Sequence, residues 1–220
     1  GLFIENGNVL FRNDYRSAKS MIDSFPEPSS DMERAFYQYK CTMKRMNVPG
    51  RIVMNLGSLI MYLPYYFRFT HNKIPYSLQK YDAVFYKDKV SIDIVPNSVR
   101  EEYPDILTLG IGVTKEMSLN REDLEFLKGL RRIKPWWFYF HLKVMMKLAM
   151  TSYCIRTYHP KALISHFEES FACSLMAEYC ERKKIKYIGV MHGERLYTLK
   201  TAFFRCTEYY AWDQDYVNLL

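Results

Sequence analysis

The sequence contains no Walker loop, no G-x-G-x-x-G and no G-x-S-x-G. P-loop, dinucleotide-binding and serine-hydrolase chemistries therefore have no motif to rest on. H-E-x-x-H is absent as well. The five cysteines, at 41, 154, 173, 180 and 206, are odd in number and form no C-x-x-C. That usage fits a reducing compartment and gives no pair with zinc-ligand spacing. Cys173 and Cys180 would lie about two turns apart on one helix, too far to bridge. There is no uninterrupted run of about 20 apolar residues, so no spanning helix is expected. No basic-then-apolar signal segment opens the chain. No dense Arg/Lys arm is present either, and nucleic acid is not an expected partner.

What is present is ordinary globular material. The 220 residues are 49% hydrophobic and 25% charged, enough apolar mass to offset chain entropy and exclude a disordered chain. Aromatics reach 16%, which suggests a tightly packed core or an aromatic-rich binding surface. The formal charge of +7 attracts phosphates of any kind: nucleic acid, anionic lipid or nucleotide-linked substrates. The densest basic cluster, 182–186, reads as the solvated end of a helix. Beginning at Gly1 and ending at Leu220, the chain is expected to be an excerpt of a longer protein.

Residues 1–30 are polar and turn-rich. Ser30 or Asp31 can cap a helix to about 46, which Pro49-Gly50 should stop. Residues 51–62 could be strand or helix, and Pro64 should break or kink whatever precedes it. Strands are expected at 81–86 and 90–95, a short helix at 99–102, and a strand or extended loop at 107–113. Asn120 should cap a helix at 121–131, with Asp123 three residues on. Pro135 should open the longest helix, 136–158, with Lys143, Lys147 and Thr151 as one polar stripe. Core packing is the expectation for this helix; Trp136-Trp137 leaves a bilayer-surface reading open. From 160 onward the pattern is strand (162–166), helix (170–182), strand (186–191), strand (208–212). Strand, short helix, strand is a parallel βαβ unit.

In an open parallel sheet ligands bind beyond the carboxyl ends of the strands. Two clusters fall there: Ser165-His166-Phe167-Glu168-Glu169-Ser170 and His192-Gly193-Glu194-Arg195. A strand-end histidine such as His192 can take a hydroxyl proton at neutral pH, and Gly193 lets the backbone turn sharply. Glu194 could orient the ring, and Arg195 could pair with a phosphate. The competing reading is a His-Gly turn that merely ends a strand. Glu168 and Glu169 are carboxylates near a helix N-terminus, favoured there by the dipole or available to bind hydroxyls. His166 is a ligand or a satisfied buried histidine. Asp213-Gln214-Asp215 is a D-x-D that could hold a divalent metal, but Asp213 already serves as a helix cap.

The run Tyr158-His159-Pro160 into Ser165-His166, the helix, Lys186 through Met191-His192-Gly193, and the stretch from Phe203 to Trp212-Asp213 resemble bacterial surface-polysaccharide glycosyltransferases. They are similar to the GT-B group that includes the CDP-glycerol glycerophosphotransferases. The stretch at 80–85 and Ile94-Val95-Pro96 resemble an earlier part of the same half. The resemblance is best over 158–218 and loose over 80–157; residues 1–79 match no family pattern. It implies an α/β fold: a Rossmann-like parallel sheet flanked by helices, 80–220, forming the acceptor-side half of a GT-B fold, after an amino-terminal helical extension, 1–79. The nucleotide-binding half would lie outside these residues. It implies that His192 is the base toward the acceptor hydroxyl, with Ser165, His166, Glu168, Glu169, Gly193, Glu194 and Arg195 around the substrate. No cofactor or metal is expected, and the donor would be a nucleotide sugar or CDP-polyol. The acceptor would be a glycan or lipid-linked glycan in capsule or surface-polysaccharide synthesis. The location would be cytoplasmic, with peripheral contact at the inner face of the cell membrane. A non-catalytic glycan-binding or assembly subunit of polysaccharide export is the alternative.

Overall fold

A computed structural model describes residues 19–44, 46–72, 79–87, 91–110, 117–166, 170–191 and 201–211. Among the described residues, helical backbone at 19–23 precedes two longer helices, α1 (Asp31–Lys44) and α2 (Val48–His71). The rest alternates strand and helix: β1 (Ala83–Lys87), a 3₁₀ turn (Ile92–Ile94), α3 (Asn97–Glu102), β2 (Ile106–Gly110), α4 (Arg121–Ile133) and α5 (Phe138–Tyr158). It closes with β3 (Ala162–Ser165), α6 (Cys173–Arg182), β4 (Lys186–Val190) and β5 (Glu208–Tyr210). The five strands form one sheet in the order β2-β1-β3-β4-β5, and every pairing is parallel.

Strand alternation sends successive side chains to opposite faces. Val84, Tyr86, Leu163 and Tyr187 join the larger core, built with α1, α2, α4, α5 and α6. Phe85, Ile164 and Ile188 point the other way, onto Val95, Val99 and Tyr103 around α3. The sheet is therefore covered on both faces, which is what its near-continuous apolar strands require. Gly189 in β4 allows a close approach: a Cβ there would stand 2.6 Å from the Tyr209 ring and 2.7 Å from Cys206 Sγ. At the amino-terminal edge of the sheet, Lys161 pairs with Asp82 at 2.8 Å, and Lys186 bridges Glu102 and Glu208 at 3.1 and 2.7 Å. These exposed pairs are worth little individually.

The parallel βαβ unit and the Asn120–Asp123 capping box are present as expected. Other expectations are corrected. The stretch expected as a 90–95 strand carries a 3₁₀ turn, because the Ser91 side chain accepts from the Asp93 N–H and starts a turn within an Ile-rich segment. Pro49 does not merely stop α1; it sits in the first turn of α2, where its missing N–H costs nothing, and Asn47 caps that turn. The 51–62 ambiguity resolves to helix, and α2 runs through Pro64. Pro64 is exposed, as is Ile60, whose carbonyl loses its donor, so water can take the place of the missing bond. Within the stretch 1–79 read as a helical extension, Phe36, Tyr39, Tyr62 and Phe69 pack in the same core as the sheet. The polar stripe on α5 is not continuous: Lys143 is exposed, Lys147 half-buried, and Thr151 buried against the Met176 sulfur at 3.4 Å.

His141, buried in α5, contacts the Lys134 carbonyl through Nε2 at 2.6 Å. Burial, assisted by Arg131 and opposed by that bond, holds its pKa below the usual value. The folded state thus resists a proton that the unfolded chain takes near pH 6.5. Its contribution is complete above about pH 6.5 and is lost as pH falls toward the lowered folded value. Thermal melts between neutral and mildly acid pH are expected to show this loss, and His141→Gln should shrink it. An unchanged slope in the variant would refute the assignment.

Candidate functional site

The strand order creates a switch point. The connection leaving β1 covers one face through Val95 and Val99, while the connection leaving β3 covers the other through α6. In doubly wound sheets ligands bind where neighbouring connections diverge, here beyond the carboxyl ends of β1 and β3; residues 88–90 and 167–169, which follow those ends, lie outside the described residues.

His166 follows β3 directly. It is 3% exposed, and its ring centroid is 6.1 Å from that of Phe85 in β1. It therefore stands at this switch point, on the Phe85 face. Ser165 is also buried but alternates to the opposite face, where its side chain hydrogen-bonds Tyr187, whose hydroxyl burial pushes well above its ordinary pKa. The two neighbours are thus separated by the sheet: His166 borders the switch point, and Ser165 belongs to the α6 side.

β4 carries the second cluster. Ser165 pairs with Gly189, so β4 extends beyond β3 toward the same edge. The Met191 N–H donates to the Tyr210 carbonyl at 2.9 Å. The backbone entering His192 is therefore anchored by β5 on one side, with β3 on the other. His192, Gly193, Glu194, Arg195, Glu168 and Glu169 lie outside the described residues, as do Asp213 and Asp215. Among the described residues, no group of three His, Cys, Asp or Glu side chains is arranged to hold a metal.

Two features escaped the sequence reading. Phe85, fully buried in the smaller core, packs beside the His166 ring; strand order is non-local, and nothing in the 81–86 run shows that β1 neighbours β3. The second is a buried polar network around Asp123, which is 0% exposed. Asp123 accepts from Ser152 Oγ (2.7 Å), Tyr179 hydroxyl (2.6 Å) and the Asn120 N–H (2.8 Å), and Arg156 lies 3.8 Å away. The capping box was readable, but its partners lie 29 and 56 residues downstream.

Comparison with protein-family models, curated proteins and solved structures gives no match.

Proposed function

We propose that the chain is the acceptor-side half of a GT-B-type transferase. It would pass a sugar or polyol phosphate from a nucleotide-activated donor to a hydroxyl of a glycan or lipid-linked acceptor in surface-polysaccharide synthesis. One observation carries the reading. The strand that leads into His192-Gly193 is an interior strand of an all-parallel sheet, adjacent to the strand that leads into His166. In such sheets the carboxyl edge is where substrates are held.

In this reading His192 removes the acceptor proton as the hydroxyl oxygen attacks the donor's anomeric carbon or phosphorus. The bond to the nucleotide phosphate breaks with its electron pair, and Arg195 pairs with phosphate charge. His166, Glu168 and Glu169 border the acceptor from the β3 side.

The test is nucleotide release by the full-length protein, offered a panel of nucleotide sugars and CDP-glycerol with and without acceptor glycan. Acceptor-dependent release with one donor is the expected result. Glycan binding without release from any donor would favour the non-catalytic subunit instead.

A further inference from the structure

The amino-terminal helix α2 exposes more apolar surface than a free face normally carries. Ile52, Val53, Leu56, Ile60, Leu63 and Phe67 are each 55–71% exposed. At 3.6 residues per turn they fall within an arc of about 100° and run for roughly 22 Å along the helix. The opposite side, with Ser58, Tyr62 and Phe69, is buried. Residues 52–67 contain no charged side chain. Contiguous apolar patches beyond a few hundred Å² mark sites where something binds.

The surroundings specify the charge of the partner. Residues 34–81 contain eight Lys and Arg and no Asp or Glu, and residues 126–161 repeat that count. The helices within these stretches, α2 and α5, pack on one another. The α4–α5 corner packs on the buried side and flank of α2: the Arg131 guanidinium lies 5.3 Å over the Tyr62 ring, and the Tyr139 N–H reaches Asn55 Oδ1 at 3.4 Å. That corner also presents exposed Arg132 and Trp136, the latter 78% exposed. Glu33 borders the corner beside Ile133 and Lys134, but its carboxylate is engaged by the backbone and hydroxyl of Ser29. The result is an apolar stripe with a tryptophan at its side and a rim of one sign.

We propose that the exposed face of α2, with Trp136 and Arg131–Arg132 beside it, is a docking surface for an anionic lipid bilayer. The helix lies in the headgroup plane, with its apolar face in the acyl boundary and its rim on lipid phosphates. It does not cross: no helix among the described residues is long and apolar enough to do so, and the far side of α2 is committed to the core. A second copy seated on this face would bring the same positive rim against it, which like charge opposes. Nucleic acid would meet apolar side chains where it needs cations. The proposal is independent of the transfer reading, because its readout is binding to lipid and not turnover.

Vesicle flotation tests it, with phosphatidylcholine–phosphatidylglycerol vesicles against phosphatidylcholine alone. The protein is expected to float with the anionic vesicles and to be released by salt. The triple variant Ile60→Ser, Leu63→Ser, Phe67→Ser should weaken partitioning on the order of a hundredfold or more. Arg131→Gln with Arg132→Gln should weaken it about fivefold per charge. Trp136→Phe should remove most of the fluorescence blue shift on binding. All these side chains are exposed or at the rim, and matching circular-dichroism melts confirm that the variants fold. Failure of the unaltered protein to float would overturn the proposal. So would a serine variant that floats equally well, or a dimer that the serine substitutions dissociate while no vesicle is bound.

Discussion

His192→Gln in the full-length protein is expected to lower turnover by about 10²–10⁴-fold, the usual contribution of a general base. Glutamine retains a side chain that can hydrogen-bond to an acceptor hydroxyl, but it cannot take the proton. The loss should therefore fall on kcat, with donor affinity little changed, because in the proposed GT-B arrangement the donor is held by the other half. Folding should survive. The preceding residue, Met191, is secured by its own N–H bond to the Tyr210 carbonyl, and β4 is paired on both sides, with β3 and β5. His192→Ala should behave like His192→Gln if proton transfer is what is lost. A glutamine variant that keeps most of its activity would make His192 a positioning residue and move the search for the base to Glu168, Glu169 or Glu194. Unfolding of both variants would mean that His-Gly is only the turn that ends β4. His166→Gln is the informative companion. It changes the end of β3 next to Phe85, and a rise in acceptor KM with little change in kcat would separate binding there from proton transfer at β4.

The elements legible in the sequence are those whose cause is local. The α4 capping box needs only Asn120 and Asp123 three apart, and both reciprocal bonds form. β3 and β4 are short apolar runs around a helix of matching length, which leaves a parallel pair as the natural arrangement. The failures are equally physical. Ile92 and Ile94 alternate like a strand, yet one serine side chain bonding forward at Ser91 turns the backbone instead. Helix α2 is apolar on its free face as well as its packed one, so periodicity could not separate strand from helix over 51–62. Trp136-Trp137 leaves a bilayer-surface reading open for α5, but α5 is mostly buried, as core packing predicts, and α2 carries the exposed apolar stripe. Of the candidate site, the edge was legible because connectivity alone places 166 and 192 after adjacent strands. Alternation alone sends Ser165 and His166 to opposite faces, but which of them faces α6 and which faces Phe85 required the packing.

Asp123→Ala is expected to cost about 3–5 kcal/mol, the penalty for breaking a buried charged network rather than for losing a cap. A cap alone is worth about 1 kcal/mol. The difference lies in what the carboxylate serves. It closes the first turn of α4 through the Asn120 N–H, receives the Ser152 hydroxyl from α5 and the Tyr179 hydroxyl from α6, and lies near Arg156, which also donates to the Ser118 carbonyl. Three helices thus meet on one side chain that water does not reach. Removing it leaves the Ser152 and Tyr179 hydroxyls buried without their acceptor, each costing about 1–3 kcal/mol, and takes the counter-charge from beside Arg156. Burial and the adjacent Asp123 charge push the Tyr179 hydroxyl far above its ordinary range, so it stays a donor at any workable pH. For a chain of this length the loss should lower Tm on the order of 10 °C, read by calorimetry. Asp123→Asn keeps an oxygen acceptor for the cap but removes the charge, and should fall between Asp123→Ala and the unaltered protein. Tyr179→Phe should cost about 1–2 kcal/mol and couple strongly to Asp123→Ala in a double-mutant cycle. A cycle with no coupling, and an alanine variant no worse than a lost surface cap, would mean that α4, α5 and α6 are held by apolar packing alone.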